Sequence, residues 1–106
     1  MKIIVKMPGE STGHIADART IADIERILGG QTFRIRMDKD TIFMNRAGWI
    51  CGMEINICHP VWGGIAGPIA VAGNVAGNDK KSFKDCSMAL PEWAATLKTW
   101  ETMSAG

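Results

Sequence analysis

The chain has 106 residues, of which 46% are hydrophobic and 22% are charged, which is the composition of a globular domain. A chain of this length is expected to fold as one domain, residues 1–106, around a core that needs no disulfide bond or metal ion for stability. Twelve Lys and Arg residues balance eleven Asp and Glu residues. This balance excludes nucleic-acid binding by charge alone, and it excludes DNA mimicry by acidic residues.

Neither a signal peptide nor a membrane-spanning helix is expected. The N-terminal segment has only three consecutive apolar residues before Lys6, too few for a signal peptide. The apolar run 61–73 is thirteen residues long and contains four glycines and a proline, whereas a span needs about 18 residues. Three cysteines cannot all pair within one chain, so we expect reduced thiols, a cytoplasmic location and no membrane partner.

The beginning of the chain predicts two strands joined by a turn. Lys2–Met7 is rich in β-branched residues and is stopped by Pro8 and Gly9. The turn continues to Gly13, and a short second strand is expected at His14–Ala16.

Residues 20–30 predict a capped amphipathic helix. Thr20 suits the N-cap, and Asp23 stands three residues later, where the acid of a capping box lies. Gly29 and Gly30 can end the helix in the left-handed conformation. The apolar residues of the helix recur on one face: Ile21, Ile24, Ile27 and Leu28.

A β-hairpin is predicted next. Thr32–Met37 alternates apolar and polar residues, and Thr41–Asn45 returns after a turn. Asp38 and Asp40 flank that turn and are expected to be solvated.

Two further strands are expected near Ile55–Cys58 and Pro68–Ala72, with Gly63–Gly67 between them in turns. Asn74–Lys81 is predicted to be a polar loop with its tip at Gly77–Asp79.

Pro91 suits the first turn of a C-terminal helix, on which Trp93, Leu97 and Trp100 form a stripe. That stripe either docks the helix on the sheet or presents it to a partner. The predicted fold class is therefore α+β: a small, mostly antiparallel sheet of about five strands, one packed helix and a C-terminal helix.

The tract 47–78 contains seven of the twelve glycines, and its only formal charge is Glu54. A tract this apolar is predicted to be buried as short strands joined by tight turns. Trp49 and Trp62, which lie in it, are expected to be core or turn anchors.

Four residues have side chains suited to a metal: Cys51, Cys58, His59 and Cys86. Three thiolates and one imidazole would satisfy a closed, structural zinc site. However, the chain has no C-x2-C knuckle, and neighbouring residues on a strand point to opposite faces. The alternative, that the cysteines are small buried hydrophobes, is favoured, and no other cofactor is expected.

No catalytic constellation is recognised, so the chain is not expected to be an enzyme. Cys58 with His14 or His59 lacks an orienting carboxylate or amide at a recognisable spacing. The glycines of 63–67 lack the register of a phosphate-binding loop and are not followed by a helix.

Two groups of residues are candidates for contact with a partner. Arg34, Arg36 and Arg46 could form a small basic patch on the hairpin, although alternating charges are ordinary on a half-exposed strand. Trp93 and Trp100, with Leu97 between them, could form an interface, since tryptophan is enriched at binding hot spots.

Several short motifs occur in a distinctive order: the opening MKIIVKMPG, Leu28-Gly29-Gly30 followed by Phe33-Arg34-Ile35, then Asn45, and IAGPIAVAG at 65–73. In this order they resemble an uncharacterised family of small proteins of bacteriophages, plasmids and Firmicute mobile elements, over about residues 1–75. Members usually carry Glu where this chain has Met7. The family transfers no functional residues, but the resemblance implies a mobile-element setting in a bacterial host cell.

The resemblance, the neutral charge and the missing catalytic group together lead to one functional expectation. The chain is expected to be a non-enzymatic binder or inhibitor of a host protein, with a CRISPR effector nuclease as the candidate target, and to be a monomer or small homo-oligomer. A nucleic-acid-associated accessory protein that uses the arginines is the alternative. A small hydrolytic enzyme is the third possibility.

Overall fold

The computed structural model describes residues 1–75 and 82–105, with side chains described to residue 103. Its strands are β1 (Lys2–Lys6), β2 (His14–Asp17), β3 (Thr32–Arg36), β4 (Asp40–Asn45), β5 (Ile55–His59), β6 (Gly63–Ala66) and β7 (Ile69–Gly73), and its helices are α1 (Ile21–Leu28) and α2 (Leu90–Ala105). The predicted loop tip at Gly77–Asp79 lies outside the described residues.

Five strands form one sheet in the order β2-β1-β7-β4-β3, and every neighbouring pair is antiparallel. The central strand, β7, is buried at all five positions. Strands β5 and β6 form a separate antiparallel pair. This confirms the predicted α+β class. The separate β5–β6 hairpin lies beside the five-stranded sheet.

The five-stranded sheet has a hydrophobic cluster on each face, because side chains alternate along its strands. Helix α1 covers one face and α2, with the β5–β6 hairpin, covers the other. The first cluster contains Ile3, Val5, Ile24, Leu28, Phe43, Ala70 and Ala72. The second contains Ile4, Ile35, Ile42, Met44, Ile57, Ile65, Ile69, Val71, Trp93 and Leu97.

Helix α1 begins and ends as its sequence predicts. The Asp23 amide donates to Thr20 Oγ1, and Asp23 Oδ2 accepts from the Thr20 amide, each at 3.2 Å. Gly29 adopts φ 85°, which is left-handed. The buried Asn45 donates through Nδ2 to the Leu28 carbonyl at 2.8 Å, so a carbonyl in the last turn of the helix is satisfied by the neighbouring strand.

Three expectations were wrong. The segment 63–67 is largely a strand, since Gly63–Ala66 pairs with β5 as β6. The tract from residue 47 is not uniformly buried, because several of its largest apolar side chains are exposed. Asp40 is not solvated: it begins β4 and is buried, whereas Asp38 is exposed.

Asp40 is buried because it holds the chain that leads into α2. Its Oδ1 accepts from the Ser87 amide at 2.8 Å, and its Oδ2 accepts a short hydrogen bond from Ser87 Oγ. A buried carboxylate is tolerated when such donors replace water. The two residues are 47 positions apart, so the contact fixes the segment before α2 to the start of β4.

Replacing Asp40 by Ala leaves the Ser87 amide unpaired. We expect Asp40→Ala to lower the free energy of unfolding by about 2–3 kcal/mol, because hydrogen bonds to a charged acceptor are lost inside the protein. Urea unfolding followed by circular dichroism measures this. Asp38→Ala is the matched control and should change stability by less than about 0.5 kcal/mol; equal effects of the two changes would contradict this role of Asp40.

Candidate functional site

The stripe on α2 is largely part of the core. Trp93 is fully buried, Leu97 is 6% exposed, and Trp93 Nε1 donates to the Thr12 carbonyl at 3.0 Å. Trp100 is half-buried and packs edge-on against Trp93, with ring centroids 5.6 Å apart. Of the two interpretations of this stripe, the structure shows docking on the sheet. Trp93 and Leu97 could reach a partner only if α2 left the sheet.

The three arginines do not form one patch. Arg46 lies opposite Gln31, to whose carbonyl its amide donates at 2.8 Å, and Arg36 is five residues further along β3. At 3.4 Å per residue this separates the two backbones by about 17 Å. Arg34 is half-buried, with its guanidinium 4.9 Å from the centre of the Phe43 ring. It therefore stacks on Phe43, which belongs to the cluster beneath α1.

The four predicted metal ligands are not brought together. Within residues 1–75 and 82–103, no three His, Cys, Asp or Glu side chains are arranged to hold a metal ion. Cys51 lies exposed in the turn after β4, Cys58 and His59 end β5, and Cys86 packs against the second hydrophobic cluster. All three cysteines are free thiols.

His59 organises the tip of the β5–β6 hairpin. Its Nδ1 accepts hydrogen bonds from the Val61 amide at 3.1 Å and the Trp62 amide at 3.2 Å. Burial lowers the pKa of His59, which favours the neutral ring that these two bonds require. The lone pair of Nδ1 is therefore occupied by the turn and is unavailable to a metal without breaking it.

The thiol of Cys86 has low reactivity. Burial raises the pKa of its thiol to about 11, and the nearby Asp40 carboxylate acts in the same direction. A thiol with so high a pKa stays protonated at neutral pH and is a poor nucleophile.

Five large apolar side chains on the β5–β6 hairpin and the turn that precedes it are exposed, and we call this set the tryptophan surface. A large group of exposed apolar side chains is uncommon on a monomeric protein that binds no partner. The five members and their exposed fractions are Trp49 (47%), Ile50 (89%), Ile55 (55%), Val61 (82%) and Trp62 (51%).

The backbone around the tryptophan surface is held in place. Trp49 Nε1 donates to the Gly64 carbonyl at 2.8 Å, which joins the turn to β6. Gly48 lies so close to β6 that a Cβ there would be 2.5 Å from the Ala66 carbonyl oxygen. The Trp62 ring packs edge-on against Phe33 at 5.5 Å. Sequence reasoning missed this surface, although the absence of charge other than Glu54 was a visible sign of it.

A pocket of about 230 Å³ opens where the loop after β1 meets β5 and α2. Sequence reasoning did not identify it, because its residues are far apart along the chain. They are Lys6, Gly9, Glu10, Ser11, Asn56, Ile57, Cys58, Leu97 and Glu101.

Lys6 and Asn56 hydrogen-bond each other in both directions at this pocket. Lys6 Nζ donates to Asn56 Oδ1 at 2.6 Å and to the Asn56 carbonyl at 3.0 Å. Asn56 Nδ2 donates to the carbonyls of Lys6 at 2.7 Å and Gly67 at 2.9 Å. The ladder of β5 shifts register between Ile55 and Ile57, and such a bulge can redirect the intervening side chain.

Electrostatics at the pocket are mixed. Burial lowers the pKa of the Lys6 ammonium, and the carboxylates of Glu10 and Glu101 oppose that shift. The pKa of Glu10 is lowered first by the hydrogen bond from the Met7 amide and then by His14. The pocket therefore combines one buried cation with two carboxylates.

Comparison of the chain with protein-family models, with curated proteins and with solved structures gives no match. The resemblance to the mobile-element family gains no support from these comparisons. No helix in the described ranges is long and apolar enough to cross a membrane.

Thiol labelling tests the assignments of the cysteines. At about pH 8, a thiol of pKa about 11 is ionised in about one molecule in a thousand. We expect iodoacetamide to modify the exposed Cys51 first and the partly buried Cys86 at least about tenfold more slowly, as followed by peptide mass spectrometry. In urea the three should react alike; equal rates for Cys51 and Cys86 in the folded protein would contradict the assignment.

Acid should loosen the hairpin tip. The folded-state pKa of His59 lies below its unfolded value, so its contribution to stability is present above about pH 6.5 and is lost as the pH falls through the lowered pKa. We expect the Val61 and Trp62 amides to exchange faster with solvent once the pH falls below the lowered pKa of His59, and NMR measures this exchange. The imidazole nitrogen signals should show the proton on Nε2 at neutral pH; a proton on Nδ1 would contradict the two hydrogen bonds.

Proposed function

We propose that this chain is a protein-binding module and that the tryptophan surface is its contact surface. The observation that supports this most strongly is the exposure of two tryptophans with Ile50 and Val61 on a backbone that is internally braced. Aromatic enrichment and few charges are typical of the centre of protein interfaces.

The proposed occupant is a different protein with an apolar groove. Ile50 and Val61 are more than four-fifths exposed, so they project from the surface. A two-fold dimer requires one patch to be complementary to itself, whereas projecting side chains need a concave partner. A host protein fits this requirement. Its more specific form, inhibition of a CRISPR effector nuclease, rests on the family resemblance alone.

Electrostatics favour this proposal over nucleic-acid binding. Arg36 and Arg46 lie at opposite ends of the β3–β4 hairpin instead of clustering, and Arg34 stacks on Phe43. An interface held by phosphate contacts would weaken steeply with salt. Binding through the tryptophan surface should persist at a few hundred millimolar salt.

Substitution of the surface tests the proposal. We expect Trp62→Ser and Trp49→Ser each to weaken binding to the partner by about 30-fold or more, since hot-spot residues contribute at least about 2 kcal/mol. The partner is first captured from nuclease-treated bacterial lysate by the unmodified protein. It is then purified, and its dissociation constant is measured by calorimetry.

Matched controls separate the surface from general effects. Ile15→Ser removes another exposed apolar side chain, on the edge strand β2 of the five-stranded sheet, and should leave binding unchanged. Arg34→Ala with Arg36→Ala should also leave it unchanged. Capture that survives both tryptophan changes but is lost with the arginines would overturn the proposal, as would a dimer that Trp62→Ser dissolves in analytical ultracentrifugation.

A further inference from the structure

Lys6 is a buried cation without an adjacent counter-ion. Its residue is 5% exposed, and within the described part of the chain no carboxylate lies at ion-pair distance from Nζ. Lys6 Nζ donates two hydrogen bonds, both to neutral oxygens of Asn56. Burying an ammonium without an anion in direct contact is costly, and the carboxylates of Glu10 and Glu101 act on Lys6 only from beyond ion-pair distance.

One N–H of Lys6 remains for the pocket. An ammonium group has three donors, and Asn56 accepts two of them. Asn56 cannot turn away, because both hydrogens of its Nδ2 are donated to the carbonyls of Lys6 and Gly67. Since Lys6 lines the pocket, its third donor is available to a ligand oxygen there.

The other walls supply two carboxylates and an apolar side. Glu101 is exposed on α2, and Glu10 is held by the Met7 amide and His14. Ile57 and Leu97 contribute apolar surface. A simple anion would meet Lys6 but would be repelled by the two carboxylates. A ligand with both an anionic and a cationic group complements all three.

We propose that this pocket binds a small zwitterion of the α-amino-acid class, with its carboxylate on Lys6, its ammonium toward Glu101 and its side chain against Ile57 and Leu97. The volume of about 230 Å³ lies below the roughly 300–1,000 Å³ of pockets that hold drug-sized ligands, which suits a ligand of this size. The pocket residues are not members of the tryptophan surface, so this proposal stands independently of the proposed function.

Titration with defined probes tests the proposal. L-alanine and L-leucine carry both charges, acetate carries only the anion, and ethylamine carries only the cation. We expect an amino acid to shift the NMR signals of the Ser11 amide and the Asn56 side-chain amide saturably, with a dissociation constant of about 10 mM or tighter. Acetate and ethylamine should bind at least about tenfold more weakly, since each leaves a charged group of the pocket unpaired.

Variants locate the two charge contacts. Lys6→Met and Glu101→Gln should each weaken amino-acid binding by about tenfold or more, whereas the exposed Glu54→Gln, outside the pocket, should not change it. Glu101 is exposed on α2, so Glu101→Gln tests the proposal even if Lys6→Met fails to fold. Absence of saturable shifts with every probe would overturn the proposal. Equal binding of acetate and amino acid, or no effect of Glu101→Gln, would also overturn it.

Discussion

The reciprocal bonding of Lys6 and Asn56 joins two sheets that share no strand ladder. Lys6 is the last residue of β1, in the five-stranded sheet, and Asn56 lies at the bulge of β5, in the two-stranded one. An isolated two-stranded hairpin is marginally stable in water. The hairpin is held on the rest of the fold by the Lys6–Asn56 bonds and by the packing of α2 against β5. The Trp49–Gly64 hydrogen bond and the packing of Trp62 on Phe33 add to these contacts.

Both candidate sites follow from that placement. The buried side of the hairpin contributes Ile57 and Ile65 to the core beneath α2, and Asn56 to the pocket. Its tip carries Val61 and Trp62, arranged by the neutral ring of His59. A polar interaction beside the core thus helps to position the hairpin tip that carries Val61 and Trp62.

Local signals in the sequence predicted most elements of the fold. The capping box at Thr20, the glycine end of α1 and the alternation of β3 each act within a few residues, so they are visible in a short window. Asp40 and Lys6 could not be understood that way, because their partners are 47 and 50 residues distant. Strand β6 was missed because its first two residues are glycines, which are more typical of turns.

The candidate site was predicted less well than the fold, for a related reason. Periodicity shows which side chains share a face but not which face another element covers. The stripe of Trp93 and Leu97 therefore looked the same as an interface, although α2 places it in the core. Conversely, the apolar tract around Trp49 and Trp62 looked like core, although in the fold only part of it is covered.

Hydrogen exchange across β5 and β6 tests most directly whether the Lys6–Asn56 interaction fixes the hairpin. In Asn56→Ala, we expect amides of β5 and β6 to exchange at least about tenfold faster than in the unmodified protein, while those of β4 and β7 keep their protection. Unchanged protection of the hairpin would show that the Lys6–Asn56 bonds do not fix it, and so would an equal loss of protection in every strand.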